Sequence, residues 1–202
     1  MIAILLKKQN IRKENNMKVF YINSCIRKNS RTKILADYLV KKISGDVKEI
    51  VLSEEKIAPV NSSFLQKRDK LISESDFNDE IFSYAKDFAK SDIIVVAAPY
   101  WDLSFPSILK VFFEQINILK LVFDYSDKGE IVSLCKAKKL YYVTTKGGYG
   151  PDDFGFKYVE ALSKTFYGIK DVVLIKAEGL DIYGNNVEAI LAKTKENIDT
   201  LV

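Results

Sequence analysis

Three short segments concentrate the hydroxyl, cationic and aromatic side chains from which a ligand site could be built. The first, Asn23-Ser24-Cys25-Ile26-Arg27-Lys28-Asn29-Ser30-Arg31-Thr32, is dense in hydroxyls, carries three cations and has no carboxylate. Such a loop opening a helix suits an anion, because a helix N-terminus presents free amide donors and a partial positive charge. Ser24, Ser30 and Thr32 add hydroxyl donors, and Arg31 adds charge to screen a phosphate dianion. Ser30 or Thr32 acting only as a helix cap accounts for the same loop equally well. The second segment, Pro99-Tyr100-Trp101-Asp102-Leu103, sets two large rings and a polar group at the end of an apolar run. It suits a flat, conjugated ligand better than a sugar or a metal. Tyr100 and Trp101 could equally pack in a subunit interface, where aromatics are enriched. The third, Thr144-Thr145-Lys146-Gly147-Gly148-Tyr149-Gly150, has paired glycines that permit close backbone approach to a ligand, or form a plain turn. Lys146 there is either a ligand-contacting cation or a solvated loop lysine.

What the chain lacks narrows the chemistry. There is no histidine among 202 residues, which excludes a Ser-His-Asp triad, a Cys-His dyad and histidine-based metal sites. Cys25 and Cys135 lie far apart without CxxC spacing, so they read as buried small residues of a cytoplasmic protein rather than a disulfide, a zinc site or a solvated redox pair. Neither GxGxxG nor GxxxxGK[ST] occurs. An enzyme made from this chain must draw its chemistry from a bound organic cofactor, which needs positioning groups more than acids and bases.

Charge and hydropathy exclude two further classes. The net charge is +4, but residues 1–16 alone contribute +3 (Lys7, Lys8, Arg12 and Lys13 against Glu14), which leaves +1 for the rest. That is no nucleic-acid footprint. No apolar run approaches the ~20 residues of a membrane helix. The apolar patch Ile2–Leu6 precedes its positive charges, the wrong order for a secretory signal. Residues 1–16 have no helical or strand period and read as a disordered leader or an upstream start, with 17–202 as one domain.

The elements that must position the three segments alternate from Met17 onward. Strands are expected at Val19–Asn23, Val47–Leu52, Ile93–Ala98, Leu140–Thr144 and Val172–Ala177. Helices are expected at about 32–43 (stripe Ile34, Leu35, Tyr38, Leu39), 64–72, 78–90, 104–119 with Pro106 in the first turn, 156–166 and 186–200. Residues 121–136 read as loop. Near-continuous apolar runs such as IIVVAA and DVVLI fit strands buried on both faces. The pattern implies right-handed crossovers and a doubly wound α/β sandwich around a five-stranded parallel sheet, for which the order 2-1-3-4-5 is the expectation. All three segments then lie at its C-terminal edge, near the switch point between strands one and three.

These residues together carry a family resemblance. From Met17 to Val202 the chain resembles the FMN-dependent NADH:quinone oxidoreductases, also called FMN-dependent NADH-azoreductases, of flavodoxin-like fold. The match rests on the Ser-x5-Ser-x-Thr loop of Ser24 to Thr32, on AAPYWDL before ILKVFF, on TKGG and on KAEGLDIYG. The resemblance implies that Ser24, Ser30, Arg31 and Thr32 hold the FMN phosphate and ribityl end. It implies that Tyr100, Trp101, Asp102 and Leu103 line the isoalloxazine, and that Thr145, Lys146, Gly147 and Gly148 close over its pyrimidine side. It further implies a homodimer in which Phe123 and Tyr125 help form the substrate slot. NADH or NADPH would pass a hydride to flavin N5, and a flat quinone or azo acceptor would then take the electrons. Asp102 stands where the family has asparagine, Lys146 where arginine is usual, and Arg27-Lys28 where small residues are common. A flavodoxin-like electron carrier is the alternative, although such carriers are usually strongly acidic. A domain of this fold that has lost its cofactor is another.

Overall fold

The computed structural model describes residues 17–202. The leader expected at 1–16 lies outside them. Five parallel strands form one sheet in the order β2-β1-β3-β6-β7: β1 (Lys18–Asn23), β2 (Asp46–Val51), β3 (Ile93–Ala97), β6 (Lys139–Thr145) and β7 (Asp171–Ala177). Numbering only these strands, that is the expected 2-1-3-4-5. A separate antiparallel hairpin, β4 (Phe123–Tyr125) with β5 (Ile131–Ser133), lies within the stretch expected to be loop. Each of its strands is only three residues long and mostly unburied, so neither supplies a readable apolar run.

Six α-helices cover the sheet: α1 (Arg31–Lys42), α2 (Ser62–Ser73), α3 (Ser83–Lys90), α4 (Ser107–Ile116), α5 (Phe156–Thr165) and α6 (Val187–Asp199). Because side chains alternate across a strand, the central strands feed two cores. Phe20, Ile22, Ile94, Val96 and Tyr142 face α3, α4 and α5, where Phe88, Phe112 and Val159 complete the packing. Val19, Tyr21, Val95 and Val143 face α1 and α6 and meet Leu35, Leu39 and Ile198.

Helix starts follow side-chain chemistry. Ser30, Asn61 and Asn186 each cap a helix, accepting from the amides of Lys33, Phe64 and Ala189. The buried stripe of α1 is Thr32, Leu35, Ala36 and Leu39, whereas Ile34, expected on it, is exposed. The expected 78–90 helix is a 3₁₀ turn at Glu80–Phe82 followed by α3, since Asp79 caps the turn by accepting from the Ile81 amide. α4 starts at Ser107, with Pro106 just outside it, because the preceding residues form a turn of their own. β7, expected to be buried on both faces, is an edge strand whose Val172, Val173 and Leu174 are only half-buried. It pairs with β6 alone.

Candidate functional site

A cavity of about 280 Å³ opens at the C-terminal edge of the sheet, walled by the loops after β1, β3, β6 and β7. Crossovers leave β1 and β3 in opposite directions there, so no helix fills the gap between their ends. The first wall is the N-terminus of α1. The Ser30 amide donates to Arg27 O at 3.1 Å, and the Ser30 hydroxyl accepts from the Lys33 amide at 3.3 Å. That leaves the Arg31 and Thr32 amides without a capping partner, at the positive end of the helix. The Thr32 and Thr145 hydroxyls meet at 2.7 Å and tie α1 to the end of β6.

The second wall is the turn after β3. Trp101 and Ser104 exchange backbone hydrogen bonds of 3.1 and 2.7 Å, while Asp102 and Leu103 between them have φ of 49° and 67°. This is the two-residue turn that needs left-handed backbone at both central positions. Aspartate tolerates that region, but leucine adopts it at a cost. Replacing the exposed Leu103 with glycine is expected to stabilise the protein by about 1 kcal/mol, read as a higher urea midpoint at unchanged slope. A lower midpoint would show that the leucine side chain is needed where it stands. Tyr100, one residue before the turn, lines the cavity, and its buried hydroxyl has no hydrogen-bond partner among the described residues.

The third wall is the loop after β6, whose anchor is Lys146. Lys146 is 1% exposed; its amine donates to Gly150 O (2.6 Å), Asp152 Oδ1 (2.6 Å) and, at 3.4 Å, Pro151 O, and it is ion-paired with Glu178 Oε1 at 3.0 Å. It also sits 4.7 Å from the Tyr100 ring centroid. Lys176 closes the network onto the other oxygens of Asp152 and Glu178 at 2.9 and 3.1 Å. Burial would raise the Asp152 carboxyl, but hydrogen bonds from Lys146 and Lys176 outweigh it and hold the group below the usual carboxylate range. Of the two sequence readings of Lys146, the solvated loop lysine is corrected: the amine is occupied by protein oxygens.

The fourth wall, Leu180 and Asp181 after β7, has no counterpart in the expected site. The Asp181 amide donates to Gly147 O at 2.8 Å, and its carboxylate accepts from Arg31 Nη1 at 2.6 Å. A side chain at Gly147 would collide with that carboxylate. Asp181 was legible only as part of KAEGLDIYG, and its meeting with Arg31 depends on chain return.

Of the expected site residues, Ser30, Arg31, Thr32, Tyr100, Trp101, Thr145, Lys146 and Gly147 line this one cavity. Ser24 does not, being 1% exposed with its hydroxyl donating to Ala97 O at 2.8 Å. Asp102 and Leu103 face solvent on the tip of their turn, and Gly148 lies outside the lining. Phe123 and Tyr125 line a different groove, shared with α2 and the segment after α4. Cys25 is buried and Cys135 half-buried, and burial pushes their thiols up to about 11 and about 12, which keeps both protonated and unreactive.

Comparison with known proteins agrees with this fold. A family model described as flavodoxin-like fold matches residues 17–202. The FMN-dependent NADH:quinone oxidoreductase of Clostridium perfringens (strain SM101 / Type A) is 32% identical over 194 residues, covering 92% of this chain and 96% of its own. The chain belongs to that oxidoreductase family. Another member, from Lachnoclostridium phytofermentans, is 34% identical over 190 residues, covering 89% of this chain and 94% of its own. Among solved structures, the azoreductase from Bacillus anthracis str. Sterne superposes with a TM-score of 0.77 at 20% identity, covering 92% of this chain and 98% of that one. The FMN-dependent NADH-azoreductase from Bacillus anthracis str. Ames Ancestor, solved in complex with FMN, gives a TM-score of 0.71 at 17% identity, covering 92% and 99%. At those identities the two structures speak for the fold of the oxidoreductase family and not for individual residues. No helix among the described residues is long and apolar enough to cross a membrane.

Proposed function

We propose that this protein is an FMN-dependent NAD(P)H oxidoreductase that reduces quinones, and azo compounds of similar shape. The observation that carries the reading is the cavity at the strand switch point, where unspent donors meet an aromatic wall in a member of the oxidoreductase family. The residues fit FMN. Among the described residues the Arg31 and Thr32 amides are free at a helix N-terminus and the buried Tyr100 hydroxyl has no partner, while Gly147, which has no side chain, lines the same cavity. When bound, FMN would supply the hydride acceptor and donor that amino-acid side chains do not provide.

The chain's own part is binding and exclusion of water. The Ser30 hydroxyl and the Arg31 and Thr32 amides hold the phosphate end, while Tyr100 and Trp101 flank the ring. Thr145 and Gly147, with the backbone of Lys146, close the far side. NADH and NADPH are both admitted as donors by this reading. The test is an absorption spectrum after reconstitution with FMN, followed by anaerobic NADH and then benzoquinone. Flavin bands that bleach and recover support the proposal. Bound flavin that bleaches only with dithionite overturns it in favour of an electron carrier.

Trp101 offers the best stacking surface, so Trp101→Ala is expected to weaken FMN or quinone binding about tenfold while the circular dichroism spectrum is unchanged. Unchanged flavin retention and an unchanged KM would remove Trp101 from the site.

The reading extends to a cytoplasmic homodimer. Both cysteines are free, as in proteins of a reducing compartment. Leu103, Tyr149, Phe154 and Tyr183 stand exposed on the loops around the cavity, and Tyr183 is 103% exposed. A second copy covering that apolar rim would remove it from water. In such a dimer Phe123 and Tyr125 would serve the acceptor slot. Light scattering after size exclusion reads the mass, and a monomer at micromolar concentration would end this part of the reading.

A further inference from the structure

Resting on the FMN reading, we infer that the two arginines of the phosphate loop divide their work: Arg27 supplies the charge that recognises the cofactor's phosphate, and Arg31 is a clamp that builds the wall. Two observations separate them. Arg31 is already committed, because its Nη1 donates to Asp181 Oδ1 at 2.6 Å and to Leu180 O at 3.2 Å. That carboxylate offsets its charge, and the pair, with side chains 39% and 66% exposed, straps the start of α1 to the loop after β7. Asp181 is held from its other side by its amide bond to Gly147 O at 2.8 Å. The strap therefore joins three of the four walls.

Arg27 is the opposite case. It lines the same cavity, is exposed, and has no ion-pair or side-chain hydrogen-bond partner among the described residues. Its carbonyl accepts from the Ser30 amide, so the tight turn from 27 to 30 sets it beside the capping residue and the free amides of α1. Lys28, also exposed, does not line the cavity. An uncancelled guanidinium beside the α1 N-terminus adds to its amides a full charge and planar donors that can take two phosphate oxygens at once. Of the two arginines lining the cavity, Arg27 is the one without a carboxylate partner.

Riboflavin is the discriminating probe, since it keeps the ring and ribityl chain of FMN but lacks the phosphate. Flavin-free protein is titrated with FMN and with riboflavin, and the quenching of flavin fluorescence gives both Kd values. Arg27→Met is expected to weaken FMN at least tenfold and leave riboflavin within about twofold. The salt dependence of FMN binding should shrink in the same variant. Arg31→Met is expected to weaken both flavins alike, leaving their ratio unchanged, and Asp181→Ala should add nothing in that background. The division of labour is overturned if Arg27→Met spares FMN, if it weakens both flavins equally, or if Arg31→Met is the variant that changes the ratio. A wild-type protein that takes up neither flavin overturns the cofactor reading itself, which the ratio does not address.

Discussion

Lys146→Met is expected to lower the free energy of unfolding by about 3 kcal/mol, the low end of what removing one partner of a buried ion pair costs. The low end applies because Asp152 and Glu178 keep 24% and 21% of their side-chain surface in water, whereas the lysine keeps 1%. Methionine fills the same volume but leaves two carboxylates with Lys176 as their one shared cation. The carbonyl of Gly150 also loses its donor. Urea unfolding at neutral pH checks the magnitude, and a loss below about 1 kcal/mol would show that the network is well solvated. The pH dependence gives a second check. A carboxyl held below its unfolded range contributes stability that is fully present above that range and is lost as pH falls through the depressed value. Asp152 is such a group. The difference between wild type and variant should therefore be largest near neutrality and shrink in acid.

Phe112→Ala is expected to cost about 4 kcal/mol, within the range for emptying a large aromatic site in a packed core. The ring is fully buried, with the rings of Tyr84, Phe113 and Phe20 at centroid distances of 5.9, 6.2 and 6.4 Å. These neighbours come from α3, α4 and β1, and the sheet beneath cannot collapse to fill the void. Since α4 begins three residues after the Trp101–Ser104 turn, the variant also asks whether the cavity depends on core packing. FMN affinity is expected to stay within about threefold at low temperature, where the fold survives. A large loss of affinity without unfolding would mean that α4 holds the turn under tension.

The contrast between these two residues explains what was legible beforehand. Phe112 sits in a strongly periodic helix, and its burial follows from spacing alone. So do β1 and β3, whose apolar runs are long enough to specify central strands. Lys146 gives no such signal, because Glu178 and Lys176, which complete its network with the nearby Asp152, reach it only through the parallel register of β6 and β7, in which Thr144 pairs with Lys176 and Thr145 with Ala177. Asp181 escaped notice for a similar reason, meeting Arg31 from a distant part of the sequence. The hairpin at Phe123–Tyr125 and Ile131–Ser133 was hidden differently: three-residue strands carry too few alternations to distinguish them from a polar loop. Local pattern thus placed the cavity and most of its lining, while long-range charge pairing, which spacing does not encode, decided what its cations are occupied with.

The strap between Arg31 and Asp181 joins residues 150 positions apart, and the hydroxyl pair of Thr32 and Thr145 spans 113. Opposite walls of the cavity are thus made at opposite ends of synthesis. A ribosome that has delivered β1, α1 and β3 has exposed the first two walls but not the third or fourth. The pocket comes into being only when the last strand docks on the edge of the sheet, so capture of a ligand there is an event of the completed chain, and such a ligand stabilises the whole fold by mass action rather than one region of it.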